Sequence, residues 1–482
     1  MSKILVLGMS PLPFENDRKV YGTGIRSWQF MRPLLDDGHE ICACNFAIPS
    51  AYPENLKPKF LSGFKHGSYS FSYNILPQKD FEDMGTVKRI YDQFKPDCIV
   101  GCTFYPSYIA ARLLKSLENK PPFWADLFGH VMAEAQARAA VDGDDGCLFH
   151  YWNSEYNIIT SADMFSCVSG RQEYALVGEL GAVGRLNRFT SGYNFSCNIP
   201  CGMPDEEYSH ARNVIRGKKG ITEGDFVVLW TGGYNTWTDT STLFCGLEMA
   251  MKEDDSIKFV STGGEIPEQD IKTYPRFLEK IRGSKFRDNF LMEGWIDGKD
   301  VPNYYLEADI GINIDQDIYE VRLGSKNRIL DWFRAGLCVL SSNVCELTEI
   351  IKENRIGYTF KPHDSQHLKE KLLYLASNRE KVKQAGKKGQ EFARANFNFT
   401  LTTERVRQWA DNPVHAPDWG KKRQIFYEKE EALNNLKQIT NSQKQMIKDR
   451  DERISRLEAI IKGGFAYRVY SYFKMLKSKL GR

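Results

Sequence analysis

The residues best suited to chemistry lie between Glu320 and Ser342, in the segment EVRLGSKNRILDWFRAGLCVLSS. Glu320 precedes a glycine turn that carries Lys326 and Arg328, and Asp331 follows on the helix that the turn begins. Such a turn is a ready anion site, because unpaired backbone N–H groups and the helix dipole both favour negative charge. Two cations beside two carboxylates can serve a diphosphate and sugar hydroxyls together. The segment therefore predicts a nucleotide-sugar site.

Strands that alternate with helices must position this segment. KILVLG, GHEICACNF, DCIVGCTF, PPFWADLFG and DMFSCVS are apolar runs typical of buried parallel strands. FVVLWTGG, IKFVSTGG, NFLMEGW, ADIGINI and LCVLSS form a second series, after the loop NIPCGMPDEEY near residue 200. The pattern predicts an α/β protein with two Rossmann-like, doubly wound domains, residues 1–200 and 201–412. Ligands are then expected in the cleft between the carboxyl ends of both sheets.

The sequence changes character at about residue 420, and residues 413–462 are predicted to form a charged helix. Residues seven positions apart from Phe426 to Ile461, all apolar except Thr440, form one face, while Gln443 and Arg450 interrupt the companion position. This pattern favours a coiled coil that forms a homo-oligomer or binds a partner protein. The alternative is a single charged helix packed on the body.

Residues 463–482 predict a basic amphipathic helix. Phe465, Tyr472 and Leu476 share its apolar face, basic residues lie beside that face, and the segment contains no acid. Such a helix suits an anionic membrane surface, with lysines that extend to the head groups. Docking on a partner protein, or on the coiled coil of this chain, is the alternative.

Composition narrows the class of protein and its location. The formal net charge is only +3, which does not indicate nucleic-acid binding. The 11 cysteines form no C-x-x-C pair, which favours buried reduced thiols. No apolar stretch approaches the roughly 20 residues that span a bilayer, and the N-terminal apolar run is too short for a signal peptide. We expect a cytoplasmic protein, peripheral at the inner membrane face.

No cofactor is expected. Gly22 and Gly24 could suggest a dinucleotide-binding loop, but too many residues separate them from the strand that ends at Gly8. We also expect no metal, with Lys326 and Arg328 meeting the charge of the diphosphate instead.

Several segments, taken in order, resemble a GT-B glycosyltransferase of family 4 over about residues 1–412. YGTGIRSWQFMRPLLDDGHEI resembles that family's glycine-rich loop and first helix, and WADLFGH resembles the strand end whose histidine faces the donor sugar. ADMFSCVS and NIPCGMPDEEY resemble the stretches before the interdomain linker. FLMEGWIDGKDVPNYYLEADIGINI and LDWFRAGLCVLSS resemble two blocks of the donor domain. The resemblance implies a retaining glycosyltransferase that uses a nucleotide sugar.

The resemblance also implies roles for individual residues. Lys326 and Arg328 would stabilise the departing diphosphate, and Glu320 would hold donor-sugar hydroxyls or the cationic anomeric centre. His130 would contact the donor from the first domain, and Asp331 would bind the nucleotide ribose. The remaining residues assigned to substrate binding are Gly22, Gly24, Arg26, Asn235, Trp237 and Asp239.

Two departures from the family pattern stand out. The family pairs two glutamates eight positions apart, but Leu323 occupies the position eight before Asp331, so Glu320 takes the role of the first acid. The family's Arg and Lys after the first strand of the second domain are replaced by WTGGYNTWTDTSTLF.

Three readings follow for function. The first is a transferase that acts on a glycan or lipid-linked acceptor at the cytoplasmic membrane face, in surface polysaccharide or glycoconjugate synthesis. The second is another enzyme on a similar fold, such as a sugar-nucleotide epimerase or a phosphorylase. The third is a scaffold that has lost catalysis and organises a complex through its C-terminal coiled coil.

Overall fold

The five apolar runs of the first half lie in one eight-stranded sheet, to which three strands outside those runs also belong. The structure, a computed structural model, describes residues 1–15, 17–267, 269–421 and 423–481. The strand order of the first sheet is β3-β4-β2-β1-β5-β6-β7-β8, and only the β3–β4 pair is antiparallel. Its strands are β1 Lys3–Ser10, β2 Glu40–Ala47, β3 Lys59–His66, β4 Tyr69–Leu76, β5 Cys98–Gly101, β6 Phe123–Leu127, β7 Met164–Cys167 and β8 Ser196–Asn198.

The second half forms a six-stranded sheet that is parallel throughout. Its order is β11-β10-β9-β12-β13-β14, so the chain first builds outward on one side of β9 and then returns to build on the other. This is the doubly wound order of nucleotide-binding sheets. Its strands are β9 Phe226–Thr231, β10 Ile257–Thr262, β11 Phe290–Gly294, β12 Ile310–Asn313, β13 Cys338–Ser342 and β14 Tyr358–Phe360. The prediction of two parallel-sheet α/β domains is confirmed.

Helices make most of the connections between successive strands, as parallel pairing requires. Those of the first half are α1 Gly22–Asp36, α2 Gln78–Glu82, α3 Met84–Phe94, α4 Phe104–Lys115, α5 Val131–Asp142, α6 Leu148–Ser161 and α7 Gly170–Ala182. Those of the second half are α8 Thr240–Glu253, α9 Thr273–Gly283, α10 Val301–Glu307, α11 Tyr319–Leu323, α12 Asn327–Arg334, α13 Glu346–Asn354, α14 Ser365–Ala376 and α15 Arg379–Asn396. Four more follow: α16 Phe399–Thr402, α17 Glu404–Asp411, α18 Gln424–Gly463 and α19 Phe465–Leu480.

Both sheets reverse their winding direction beside a central strand. In the first sheet the reversal lies between β1 and β5, and in the second it lies between β9 and β12. Crevices that bind ligands form at such points, outside the carboxyl ends of the strands. The loops that follow β9 and β12 therefore lie where a ligand of the second domain is expected.

The chain returns to the first domain after α15. Phe399, Val406 and Trp409 belong to the hydrophobic core of the first sheet, and the Trp409 ring meets Trp124 edge-on at 5.5 Å. The sequence pattern assigns residues up to 412 to the second domain, but α16 and α17 pack on the first because their apolar side chains complete its core.

The described chain divides into two compact units, residues 1–419 and 420–482. The second unit consists of α18 and α19, whose apolar side chains are exposed. The side chain of Phe426, where the predicted heptad pattern begins, lies outside what the structure describes. None of the described helices combines the length and the apolar character that a membrane span needs.

Candidate active site in the interdomain cleft

A cleft of about 1320 Å³ is lined by residues of both domains. Most of the residues that the sequence indicated lie on its wall. They are Gly22 and His130 from the first domain, and Asn235, Trp237, Glu320, Lys326, Arg328 and Asp331 from the second. Residues more than 300 positions apart in the sequence are therefore brought to one site.

Arg328 lies in the first turn of α12, and its position is fixed by two contacts. Its guanidinium lies over the Trp230 ring at 4.0 Å from the ring centroid, and Nη2 donates to the Gly233 carbonyl at 3.3 Å. Nη1 is buried and has no hydrogen-bond partner among the described residues. Burial lowers the pKa of Arg328 from its ordinary value. A buried donor without an acceptor is costly, so this atom is suited to a ligand oxygen.

Lys326 precedes α12 and is held between two carboxylates. Its Nζ lies 3.6 Å from Asp315 Oδ2 and 3.9 Å from Glu320 Oε2, and it also lies 5.3 Å from the centroid of the Trp237 ring. Burial lowers the pKa of Lys326, but Asp315 and Glu320 outweigh burial and leave the pKa above its ordinary value. Lys326 therefore stays charged, yet much of its charge is balanced before any ligand binds.

Glu320 and Glu134 form a pair of acids at the meeting of the two domains. Glu320 lies on α11 and Glu134 on α5, and both line the cleft. Burial raises the pKa of Glu320 to about 7, although Lys326 opposes the rise. Burial, and then repulsion from Glu320, raises the pKa of Glu134 to about 7. Oε2 of Glu320 is buried without a hydrogen-bond partner among the described residues, so it can accept a ligand hydroxyl.

Asp331 faces the cleft one turn after Arg328. The Tyr208 hydroxyl donates to its Oδ1 at 3.1 Å. Burial raises the pKa of Asp331 to about 6, and Arg334 opposes that rise. At neutral pH the Asp331 carboxylate is therefore ionised and accepts hydrogen bonds. Its Oδ1 is engaged by Tyr208, and Oδ2 can accept from the hydroxyls of a diol.

Glycine loops bring backbone close to the charged cluster. Gly232 has φ +88° and Gly263 has φ +146°, and a Cβ on Gly263 would lie 1.9 Å from the Gly232 carbonyl oxygen. A Cβ on Gly233 would meet the Ile266 side chain at 2.2 Å. The loops after β9 and β10 therefore pack backbone against backbone, which leaves space in the cleft next to Arg328.

His130 is engaged at both ring nitrogens. Nδ1 accepts from the Ala133 N–H at 3.2 Å, where His130 caps the N-terminus of α5, and Nε2 lies 3.0 Å from Glu179 Oε1. Because the Nδ1 lone pair is used, Nε2 carries the proton and donates to Glu179. Burial lowers the pKa of His130, but Glu179 outweighs burial and raises it. A hydrogen bond from Nε2 to a donor sugar would require His130 to release Glu179.

Among the described residues, one cluster has the residue types of a metal site. His130, Glu155 and Glu179 place one ligand atom each within 4.8 Å of one another, but the His130 tautomer offers a proton there and not a lone pair. Asp315 and Asp317, spaced as some metal-binding pairs are, each lie against a protein cation. Asp315 pairs with Lys326, and Asp317 binds Arg322 through two hydrogen bonds of 2.6 and 3.0 Å.

Arg26 was expected to bind substrate, but the structure gives it another role. It is fully buried, and its Nε and Nη2 donate to Asp126 at 2.9 and 2.7 Å. Its other N–H groups donate to the Ile199 and Pro200 carbonyls and to Gln29. Every donor is used within the first domain, so Arg26 joins α1 to the sheet.

Gly24 and Asp239 also have structural roles where substrate contacts were expected. A Cβ on Gly24 would lie 2.0 Å from the Pro11 carbonyl oxygen, so this glycine allows α1 to pack on the loop after β1. Asp239 caps α8 by accepting from the Thr242 N–H at 3.0 Å, and its other oxygen lies 2.9 Å from His363 Nδ1. By contrast, Gly22 faces the cleft, and its carbonyl lies 3.4 Å from Asn327 Nδ2 of the second domain.

Asn235 and Trp237 lie on the second domain's side of the cleft. The Asn235 N–H donates to the Thr238 hydroxyl at 3.1 Å, while Asn235 Oδ1 is buried without a partner among the described residues. Trp237 packs at the edge of the second domain's core and contacts Lys326 through its ring. Asn235 is available to a ligand, whereas Trp237 positions Lys326.

Sequence reasoning missed Glu134 and Asp315. Asp315 follows β12 at the reversal point of the second sheet, so its position after the strand ADIGINI was a usable signal. Glu134 lies one turn after His130 on α5, and that spacing could have placed it on the same face. Its proximity to Glu320 depends on how the two domains meet, which the sequence pattern does not reveal.

Comparisons with known proteins agree with this geometry. Residues 225–378 match the family described as "Glycosyl transferases group 1". Sucrose-phosphate synthase from Thermosynechococcus elongatus has a similar structure, with a TM-score of 0.65 at 16% identity over 85% of this chain and 98% of that one. HepE of Anabaena, solved with UDP-glucose, has a TM-score of 0.59 at 12% identity over 85% of this chain and 100% of that one.

A third similar structure is the trehalose-6-phosphate synthase OtsA, with a TM-score of 0.63 at 11% identity over 86% of this chain and 100% of the other. A search of curated proteins by sequence finds no match. The second domain is thus similar to a glycosyltransferase group 1 domain, and the two sheets together have the GT-B fold.

Proposed function

We propose that this protein transfers a sugar from a nucleotide-sugar donor to a glycan or lipid-linked acceptor. The observation that carries the proposal is the environment of Arg328. Its buried Nη1, at the start of α12, has no hydrogen-bond partner in the described part of the chain, and the acceptors Asp331 and Glu320 line the same cleft. A donor for an anion beside acceptors for hydroxyls matches a sugar joined to a nucleoside diphosphate.

Transfer breaks the bond between the anomeric carbon and the diphosphate oxygen, and it forms a bond to an acceptor hydroxyl oxygen. Negative charge grows on the departing diphosphate as the bond lengthens. Arg328 Nη1 and the first-turn N–H groups of α12 are fixed before the reaction, so they stabilise that charge without reorganisation. Lys326 adds positive charge as it exchanges part of its pairing with Asp315 and Glu320 for the phosphate.

The acids divide into a nucleotide group and a sugar group. Asp331 binds the ribose hydroxyls through the oxygen that Tyr208 leaves open. Glu320 accepts from the donor-sugar hydroxyls, or faces the anomeric centre as positive charge develops there. His130 approaches from the first domain, where Gly22 allows backbone contact with the donor or the acceptor.

The reaction is proposed to retain the configuration of the anomeric carbon. In that course the acceptor oxygen attacks from the side of the departing diphosphate, and its proton passes to a phosphate oxygen. No protein base is then needed between the two substrates. The cations of the cleft meet the charge of the diphosphate, so transfer is proposed to be metal-independent.

The C-terminal unit supports a place at the cytoplasmic membrane face. α19 exposes Phe465, Tyr472 and Phe473 by 60% or more, beside lysines and without acidic residues. Aromatic and basic side chains together favour an anionic lipid surface. A lipid-linked or polymeric acceptor in surface polysaccharide or glycoconjugate synthesis would meet the enzyme there.

A thermal-shift panel of UDP-, GDP-, ADP- and dTDP-sugars tests the proposal. We expect one nucleotide class to raise Tm, and UDP-glucose is the first to try because HepE was solved with it. Lys326→Ala combined with Arg328→Ala should abolish both the shift and turnover while the fold remains intact. No response to any member of the panel would refute the proposal.

A catalytically inactive scaffold is the second candidate. It is favoured by the pairing of Lys326 with two carboxylates, which reduces the charge available to a diphosphate. A scaffold could still bind a nucleotide sugar, but it would not release the nucleoside diphosphate. A sugar-nucleotide epimerase would convert the donor without transferring the sugar, and product analysis separates these cases.

A further inference from the structure

The long helix α18 exposes an apolar face along most of its length. Leu433, Leu436, Ile447, Ile454, Leu457 and Ile461 are between 45% and 61% exposed. They occupy the a and d positions of a heptad that begins with Leu433 at a. An isolated helix of 40 residues with such a face gains stability by pairing, and the polar residues along the face indicate what it pairs with.

The first indication is the pair of polar residues at the d positions of the face. Gln443 and Arg450 both occupy d positions. In a parallel pair of identical helices each d residue faces its own copy, so two Arg450 guanidinium groups would meet in one layer. In an antiparallel pair each d residue faces an a residue. With the register below, Arg450 then lies opposite Ile447 of the second copy, and Gln443 lies opposite Ile454.

The second indication is the order of charges beside the face. The e positions read Lys437, Lys444, Asp451 and Glu458, so their sign changes at the middle of the helix. In an antiparallel pair e positions face e positions. One register then places Lys437 against Glu458 of the second copy and Lys444 against Asp451, and two-fold symmetry repeats both pairs. Glu458 also pairs with Lys462 of its own helix at 3.5 Å, and its side chain is nonetheless exposed to solvent.

The same register also satisfies the other flank. Ile439 and Ile460, at g positions, are 54% and 69% exposed. In the antiparallel pair, Ile439 faces Ile460 of the second copy, and Ile460 faces its Ile439. A parallel pair would instead bring Ile439 against Lys444 of the second copy. Its one pairing of opposite charges at the flanks would be Arg453 with Glu458. Core layers, charges and flanking apolar residues all favour the same arrangement.

We propose that α18 binds a second copy of this chain as an antiparallel coiled coil over residues 433–461, in the register that joins Lys437 to Glu458. The paired segment is about 42 Å long at 1.5 Å per residue. The register brings the beginning of α19 in one copy beside Leu433 in the other. The two amphipathic helices therefore begin at opposite ends of the coil. This inference does not depend on the transferase reaction.

Charge reversal in the full-length chain tests both the direction and the register. Lys437→Glu with Lys444→Glu makes all four e positions acidic, and Asp451→Lys with Glu458→Lys makes all four basic. Sedimentation equilibrium should show a wild-type dimer. Each double variant alone should weaken it about 100-fold, equivalent to ~2.7 kcal/mol. Mixing the two variants in equal amounts should restore the dimer, because every e position then meets its opposite charge.

The matched control is Lys448→Glu with Arg456→Glu. It changes net charge as much as the acidic variant does, but at b and c positions away from the face, and it should dimerise like wild type. Circular dichroism checks that each variant keeps its helix content. A monomeric wild type, double variants that still dimerise, or a mixture that fails to restore the dimer would each overturn the proposal.

Discussion

Replacing Arg328 with Gln should remove the contact that we propose between the protein and the leaving diphosphate. The guanidinium is already held by Trp230 and the Gly233 carbonyl, so Nη1 needs no rearrangement to donate to a phosphate oxygen. A hydrogen bond that involves a charged group contributes about 1.5–3 kcal/mol. Donor affinity should therefore fall by about 10- to 150-fold.

The loss should be larger in the transition state, where the diphosphate carries more charge. Loss of one prearranged donor to a developing anion typically costs about 100- to 1000-fold in rate, and Arg328→Gln also removes a charge. We therefore expect kcat/KM to fall by at least about 1000-fold. Arg328→Lys should recover part of it, because a lysine keeps the charge but lacks the planar fork of donors.

Stability should change little. Burial disfavours the charged form of Arg328, so burying the cation destabilises the fold. The contact of its guanidinium with the Trp230 ring offsets part of that destabilisation. Tm without ligand should therefore stay close to that of the wild type.

The assay pairs calorimetric donor binding with the rate of nucleoside diphosphate release. Arg282→Gln, at an exposed position in the last turn of α9, is the matched control and should behave like wild type. If Arg328→Gln bound and turned over the donor within about threefold of wild type, the leaving-group role would be refuted.

Three further predictions concern other parts of the molecule. The pKa of Glu134 is raised to about 7 by burial and by Glu320, so this carboxyl makes the fold less stable as pH rises from about 4.5 to 8. Glu134→Gln should reduce that loss by about 1–2 kcal/mol. Urea unfolding at several pH values measures it, and an equal fall in the unfolding free energy of wild type and variant between about pH 4.5 and 8 would contradict the prediction. Gly24→Ala should destabilise by about 1–3 kcal/mol because its methyl group meets the Pro11 carbonyl, whereas Gly178→Ala, with open space around it, should not; equal effects would count against the packing argument. Truncation after residue 462 should release the protein from anionic liposomes in a flotation assay, and unchanged partition would point to a protein partner instead.

The sequence was sufficient for ten of the described strands and for the start of α12, because both depend on local pattern, but it did not predict β3, β4, β8 or β14. Short apolar runs formed those ten strands. Lys326, Arg328 and Asp331 lie on one wall because one turn and one short helix carry them. These are short-range relationships, which the order of residues encodes directly.

The roles of Arg26, Gly24 and Asp239 depend on distant partners. Arg26 is buried only because Asp126, which lies 100 positions away, receives it. The return of α16 and α17 to the first domain is also a tertiary effect, since their apolar faces would have fitted either core. The raised pKa of Glu134 depends in part on Glu320 of the other domain. Sequence pattern contains little information on such long-range pairings.

We propose that the cleft cleaves a nucleotide sugar at its diphosphate. The most direct measurement is nucleoside diphosphate release from the donor that gives the largest thermal shift, compared between the wild type and the Lys326→Ala/Arg328→Ala variant. We predict release by the wild type, accelerated by a membrane fraction that supplies acceptor, and none by the variant. A donor that binds the wild type but stays intact with that fraction present would contradict the claim and favour a scaffold.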